Sequence, residues 1–293
     1  MQAPDSHRRA WLRAAAACAV AAAWPLRTRA AARVVEDFAG RKVALPERIE
    51  RIASVGGSPA VNAFLFLFGL GGKIVNGLPA AFGGDAWRYQ RLFAPGIENK
   101  PVVSGPPPAW APNIESLLAT APDLGFVVDA QAAHVLERAG IPAVVLDWYR
   151  DDAVPRSVDL LGQITGNAQR AHAYAAWRAD LLAQIAARLD KLPEARRPRV
   201  LYCRYANLTQ PIMTPANHLI AAAGGRSVTE GNNPLGLDVF PMSAEQIIAW
   251  QPEVVLLALG DDRERALADA RFAQVPAFAR KRVYTVQIGR AHV

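Results

Sequence analysis

The sequence predicts an α/β protein of two lobes joined by one long helix. Three observations predict it. Short apolar runs alternate with helical patterns in the first half of the 293 residues and again in the last third, which implies parallel sheets with crossover helices. A single helical pattern, Asn167 to Leu189, separates the two alternating regions. A segment of the first region, Asn113–Asp123, returns without gaps 130 residues later as Ser243–Glu253.

Residues 1–32 read as an export signal, outside the fold. They have a basic start, an alanine-rich apolar middle and a small-residue end at Ala30-Ala31-Ala32. Arg8-Arg9-Ala10-Trp11-Leu12-Arg13 resembles a twin-arginine signal, with His7 where Ser or Thr is usual. Arg13 and Pro25 keep the apolar run shorter than the roughly 20 residues of a membrane span. The segment holds five arginines and one aspartate, so four of the seven net positive charges sit in it, and about +3 remains for the rest. Nucleic-acid binding thereby loses its main support. Past residue 32 the only cysteine is Cys203. It lies in an apolar run, which points to a buried structural thiol and no intrachain disulfide.

Taken in order, Arg33–Pro46 predicts a hairpin turning at Ala39-Gly40-Arg41. Arg51–Gly56 predicts a strand. Ser58 as N-cap and Pro59 at the first helical position open a helix that stops at Gly69. Lys73–Pro79 and Lys100–Gly105 predict short strands around a long loop. Ala111–Pro122 predicts a helix, Asp123–Asp129 a buried strand, Ala130–Gly140 a helix and Ile141–Trp148 a strand. In the long central helix Ala171, Tyr174, Ala175, Leu181, Leu182, Ile185 and Leu189 mark an apolar face. Beyond it the pattern predicts a strand at Arg199–Asn207, helices at Pro215–Gly225 and Ser243–Pro252, a strand at Glu253–Gly260, a helix at Arg263–Val275 and a strand at Arg282–Val286.

The two matching segments share Glu in the first helical turn, two apolar residues, Ala, Pro just past the helix, and an acid before an apolar strand. An early Glu suits any helix, because it complements the dipole. The common spacing of Glu, Ala and Pro goes further and favours an internal pseudo-repeat.

With the export signal, Arg51–Gly69 and the central helix, these paired segments resemble the periplasmic binding proteins of ABC importers for iron-siderophores, haem and cobalamin. The likeness runs from about Val34 to Val286 and rests on the order of elements. It implies two Rossmann-like α/β lobes bridged by one rigid helix, with the ligand cleft between them. The divisions are then 1–32 signal, 33–164 first lobe, 165–192 bridging helix and 193–287 second lobe. The resemblance implies a monomer in the periplasm, cleaved near Ala32, that is no enzyme and carries no cofactor or nucleic acid. It delivers an iron complex, a ferric siderophore, to a permease dimer in the inner membrane. By position, Glu115 and Glu245 are implied to dock against arginines of that dimer. Many members have Thr-Glu in the helix after the first strand; here those positions are Asn62-Ala63.

Ligands of open α/β sheets sit beyond the carboxyl ends of strands. Those ends carry Gly56, Gly57 and Ser58; Asp129; Trp148, Tyr149 and Arg150; Arg204 and Tyr205; and Asp261. The long loop adds Trp87, Arg88, Tyr89 and Arg91, and the next one adds Trp110. Arginine with aromatic rings suits a bulky ligand with anionic oxygens and flat π faces. Haem, cobalamin or a metal oxyanion are alternatives. For haem, Tyr89, Tyr205 or His218 would be axial candidates. The five histidines show no paired spacing, so no bare metal site is predicted.

An α/β enzyme or a ligand sensor is the alternative of a different class. The glycine clusters do not support the enzyme. Gly56-Gly57-Ser58-Pro59 lacks the last glycine of a nucleophile elbow, and Lys73 is followed by Ile74 where a phosphate-binding loop needs Ser or Thr. Gly69–Gly77 leads into a strand, not a helix.

The resemblance further implies more second-lobe chain after Val286, so that lobe is expected to be incomplete. Ile288–Val293, back-translated as ATC GGA AGA GCA CAC GTC, spell a common sequencing adapter, and the expectation is that 288–293 are an artefact.

Overall fold

The computed structural model describes residues 33–286, apart from 57, 107–108, 150–151, 212, 233–238 and 259, and without the side chains of 86 and 213–215. The proposed signal and residues 288–293 lie outside the described residues.

The chain opens with the expected hairpin, β1 (Val34–Glu36) against β2 (Lys42–Ala44), antiparallel with Val35 facing Val43. Asp37 fixes it to the rest. Its buried carboxylate accepts from the backbone of Ala39, Arg41 and Val145 and pairs with Arg41 at 2.6 Å. Arg41 also donates to the Ala143 carbonyl. One short acid thereby clips the hairpin to the edge of a strand a hundred residues away.

The first lobe is a parallel sheet ordered β3 (Ile52–Ser54), β4 (Leu124–Val127), β5 (Ala143–Val145). Alternate residues feed two cores. Ile52, Phe126 and Val144 pack with α1 (Ser58–Leu67) and α5 (Ala153–Thr165). Ala53, Val127 and Ala143 pack with α3 (Ile114–Thr120) and α4 (Ala130–Arg138). Between α1 and α3 lies the short α2 (Arg88–Phe93).

Three expectations are corrected here. Lys73–Pro79 is not a full strand: it meets β3 only at an Ile52–Ile74 bridge, after a 3-10 turn at Gly71–Lys73. The Asn76 side chain completes the edge, accepting from the Ser54 N–H at 2.8 Å and donating to the Ser54 carbonyl at 3.0 Å. Lys100–Gly105 likewise forms only a Ser104–Pro112 bridge. Helix α5 was not anticipated; its Pro155 falls in the first turn, where no N–H partner is lost.

The bridging helix is α6 (Ala168–Leu189), with Asn167 as N-cap accepting from the Arg170 N–H. It is held at its ends. At one end Ala171 is buried, and a Cβ on Gly162 would come within 2.9 Å of it. At the other, Gly224 (φ +83) leaves no room for a Cβ beside Leu189. The predicted apolar face is therefore only partly used: Ala175 and Leu181 are exposed.

The second lobe is a parallel sheet ordered β11 (Val283–Thr285), β10 (Val254–Leu257), β6 (Arg199–Cys203), β8 (Arg226–Ser227). One face packs with α8 (Ala244–Trp250), α9 (Arg263–Leu267) and α10 (Pro276–Ala279) around Phe272. Helix α7 (Met213–Ala222) flanks β8. Two further findings depart from the pattern. An antiparallel pair, β7 (Thr209–Pro211) with β9 (Val239–Pro241), branches off after β6. The helix expected at Arg263–Val275 breaks after Leu267, because Asp269 caps a new 3-10 turn at Ala270–Phe272.

The pseudo-repeat extends beyond the two helices. In the first lobe the Asp123 carboxylate accepts from the Arg51 N–H at 2.8 Å, the Asp123 N–H donates to the Arg51 carbonyl, and the Arg51 guanidinium donates to Thr120 and Ala121 carbonyls at the end of α3. In the second, the Glu253 carboxylate accepts from the Arg199 N–H at 3.0 Å, the Glu253 N–H donates to the Arg199 carbonyl, and the Arg199 Nε donates to the Gln251 carbonyl at the end of α8. Each lobe thus locks its repeated helix to the start of the neighbouring strand with the same arginine–acid clamp.

Candidate functional site

The carboxyl end of β3 carries the first part of the site. The Gly56 N–H donates to Ser104 Oγ at 2.9 Å, which ties the Ser104–Pro112 loop to this strand end. That loop closes on itself through the Gly105 N–H to the Ala111 carbonyl and holds Trp110 in the left-handed region at φ 49. For a bulky L-residue this conformation costs roughly 1–2 kcal/mol. It turns the indole of Trp110 onto Phe82, with centroids 5.1 Å apart and rings stacked. Phe82 meets Trp87 edge-on at 5.0 Å, and Trp87 leans on Tyr89 at 6.1 Å. Two of the sequence-predicted residues, Trp87 and Trp110, are therefore joined by a further ring, Phe82, that sequence reasoning passed over, and Tyr89 adjoins through Trp87. Phe82 sits in a 3-10 turn, Ala80–Phe82, inside what reads as loop.

Arg88 and Arg91 flank the rings on α2. Arg88 is exposed, and Arg91 lies 3.5 Å from Asp85. Between them Gln90 points inward, fully buried, and accepts from Asn62 Nδ2 at 2.7 Å. Among the described residues the Asn62 Oδ1 has no hydrogen-bond partner. The pair anchors α2 to α1 and keeps the aromatic turn in place. Burial pushes the Tyr89 hydroxyl above its ordinary pKa, partly offset by its hydrogen bond with Gln90, so it stays protonated at neutral pH.

The other predicted residues are dispersed. Ser58 is fully buried, with its hydroxyl 3.3 Å from the Ser54 and Gly56 carbonyl oxygens, so it braces the turn. Trp148, at the end of β5, is half-buried, stacked on Tyr149 at 5.4 Å and tilted against Phe64. Gly57 and Arg150 lie outside the described residues.

In the second lobe Arg204 and Tyr205 follow β6. The Arg204 backbone pairs with Thr209 in both directions, which starts the β7–β9 branch. The Tyr205 N–H donates to Asp261 Oδ2, and its hydroxyl donates to Asp269 Oδ2, both at 2.7 Å. Asp269 also grips Arg271 at 2.6 Å. These bonds from Arg271 and Tyr205 hold the Asp269 carboxyl far below the usual range, and Arg271 is raised in turn. Burial and then Asp269 push Tyr205 up. The Tyr205 hydroxyl is therefore committed to this network, which weighs against it as an axial ligand. Burial pushes the Cys203 thiol up to about 12, as expected of a structural cysteine.

Glu115 and Glu245 are exposed in the first turns of α3 and α8. Both helices are side-chain capped, by Asn113 and by Ser243, the latter in a reciprocal box with Gln246. Hydrogen bonds from its own backbone and from Ser243, with the nearby charge of Arg271, lower the Glu245 pKa. A separate open depression of about 450 Å³ lies at the amino ends of β6 and β8, beside Arg199, Arg226 and Trp250, away from these strand ends. Among the described residues no group of His, Cys, Asp or Glu gathers to hold a metal ion, and no helix is long and apolar enough to cross a membrane.

The family model for periplasmic binding proteins matches residues 77–287. The chain belongs to this family. This periplasmic binding protein is similar in structure to a periplasmic solute binding protein from Veillonella parvula, with 26% identity and a TM-score of 0.67 over 86% of this chain and 78% of that one. It is also similar to the molybdate-bound periplasmic binding protein MolA of Haemophilus influenzae (19% identity, TM-score 0.71, 86% and 82% of the two chains). The apo periplasmic heme-binding protein RhuT from Roseiflexus sp. RS-1 is a third (22% identity, TM-score 0.61, 81% and 89%). The last two likenesses concern the fold alone. None of the curated proteins matches the chain. The two-lobed α/β architecture with a bridging helix is that of the family, as the sequence predicted.

Proposed function

We propose that this periplasmic binding protein captures a ferric siderophore and delivers it to the permease dimer of an ABC importer in the inner membrane. Residues 1–32 would be its export signal, cleaved near Ala32. The observation that carries the ligand class is the ring group Phe82, Trp87, Tyr89 and Trp110 beside Arg88 and Arg91, anchored through Ser104 at the carboxyl end of β3. Rigid rings offer contact area to the flat, aromatic arms of such a complex, and guanidinium groups answer its net negative charge. Trp148, Arg204 and Tyr205 would contribute from the other strand ends. Glu115 and Glu245, one on each lobe, would fix the register of the protein on the two-fold permease.

The same rings would also stack on a porphyrin, which keeps haem as the second reading, in line with the heme-binding relative. Titration of intrinsic tryptophan fluorescence with ferric siderophores, haem, cobalamin and molybdate separates these. The expected outcome is saturable quenching by a ferric siderophore, weakened at least tenfold by Trp110→Ala. Quenching by haem with a Soret shift would move the assignment to haem, and no quenching by any of the four would overturn it.

A further inference from the structure

The repeated helices α3 and α8 match in more than their acids. Three positions after each glutamate stands an aliphatic residue left in solvent: Leu118 is 54% exposed and Ile248 39%. Residues three apart share a helix face, so each aliphatic side chain stands next to its carboxylate. Ala119 and Ala249 follow, both exposed and small. The preceding residues, Leu117 and Ile247, are fully buried and hold each helix to its lobe. A single exposed leucine is ordinary. Here the same acid–aliphatic–alanine strip recurs on both lobes, on helices fixed by the same arginine–acid clamp.

We propose that each docking element is a pair, Glu115 with Leu118 and Glu245 with Ile248, and that each pair meets a basic side chain set beside an apolar pocket on one subunit of the permease dimer. This rests on the docking reading of Glu115 and Glu245. The carboxylates supply steering and register, which salt weakens. The aliphatic residues supply contact that excludes water around the ion pair, which salt does not weaken. A partner of two like subunits fits, because the strip occurs once on each lobe.

The test measures binding of the whole protein to its cognate permease–ATPase complex in nanodiscs, at low and at physiological salt. Leu118→Ser with Ile248→Ser should lower affinity roughly tenfold or more and keep the wild-type salt dependence. Glu115→Gln with Glu245→Gln should lower affinity and flatten that dependence. Thermal unfolding should be unchanged in both, since all four side chains are exposed. Wild-type affinity in the serine variant, with affinity lost in the glutamine variant, overturns the pairing and leaves docking intact. Wild-type affinity in both overturns the docking reading as well.

Discussion

The two lobes place equivalent strands in different surroundings. β4 and β10 follow the repeated helices at the same offset, yet all four residues of β4 are buried while β10 alternates buried and half-buried. Phe126 is fully enclosed by α1 and α5. Its counterpart, Leu256, lies in register between Tyr202 and Tyr284, and Tyr284 is 51% exposed. The face that receives α3 in one lobe and α8 in the other is packed in both. The difference teaches that support of the repeated helix is independent of whether the sheet's far face is covered.

The sharpest way to break this comparison is truncation at the two central strands. Phe126→Ala should cost about 3–5 kcal/mol in denaturant unfolding, whereas Leu256→Ala should cost less, about 2 kcal/mol, since Leu256 is only partly buried. Equal costs would mean that the open face of the second lobe is covered in solution. The clamps give a smaller contrast. Arg51 makes three bonds to helix-end carbonyls within reach of the buried Thr120, and Arg199 makes one in solvent. Arg51→Ala should cost about 2 kcal/mol and Arg199→Ala about 0.5 kcal/mol. Reversal of that order would break the equivalence of the clamps. The smallest contrast separates the strand ends, aromatic in the first lobe and ionic in the second. Because the Asp269 pKa is depressed on folding, its contribution is present above the ordinary carboxyl range and fades as pH falls below about 4. Asp269→Asn should cost about 1 kcal/mol at pH 7 and progressively less in acid, read from thermal unfolding across pH.

Periodicity made most of the fold legible, because the strands and crossover helices obey local rules. Two of the misses share a physical cause: one side chain replaced what the backbone pattern foretold. Asn76 stands in for strand hydrogen bonds, and Asp269 cuts a helix by capping a new turn. The β7–β9 pair was illegible because its strands are three residues long, each with a proline, and far apart in the chain. In the site, residue types pointed to Trp87, Tyr89 and Trp110, but nothing local marked Phe82 as the ring that joins the two tryptophans. Nor did the sequence mark Ser58 as buried, because a residue at a strand end can face inward as easily as outward. The clamps were invisible for a different reason: Arg51 and Arg199 reach partners more than fifty positions away.

The attachment of α6 has a mechanical consequence. Its 22 residues make a rod about 33 Å long, and the main-chain ladder resists flexing along the shaft. Gripped by Gly162 at one tip and Gly224 at the other, such a rod behaves as a strut between two joints. A pivot of about 5° at one joint swings the far tip by roughly 3 Å, the breadth of one hydrogen bond. The two joints that such a strut depends on are each packed against a residue that has no side chain.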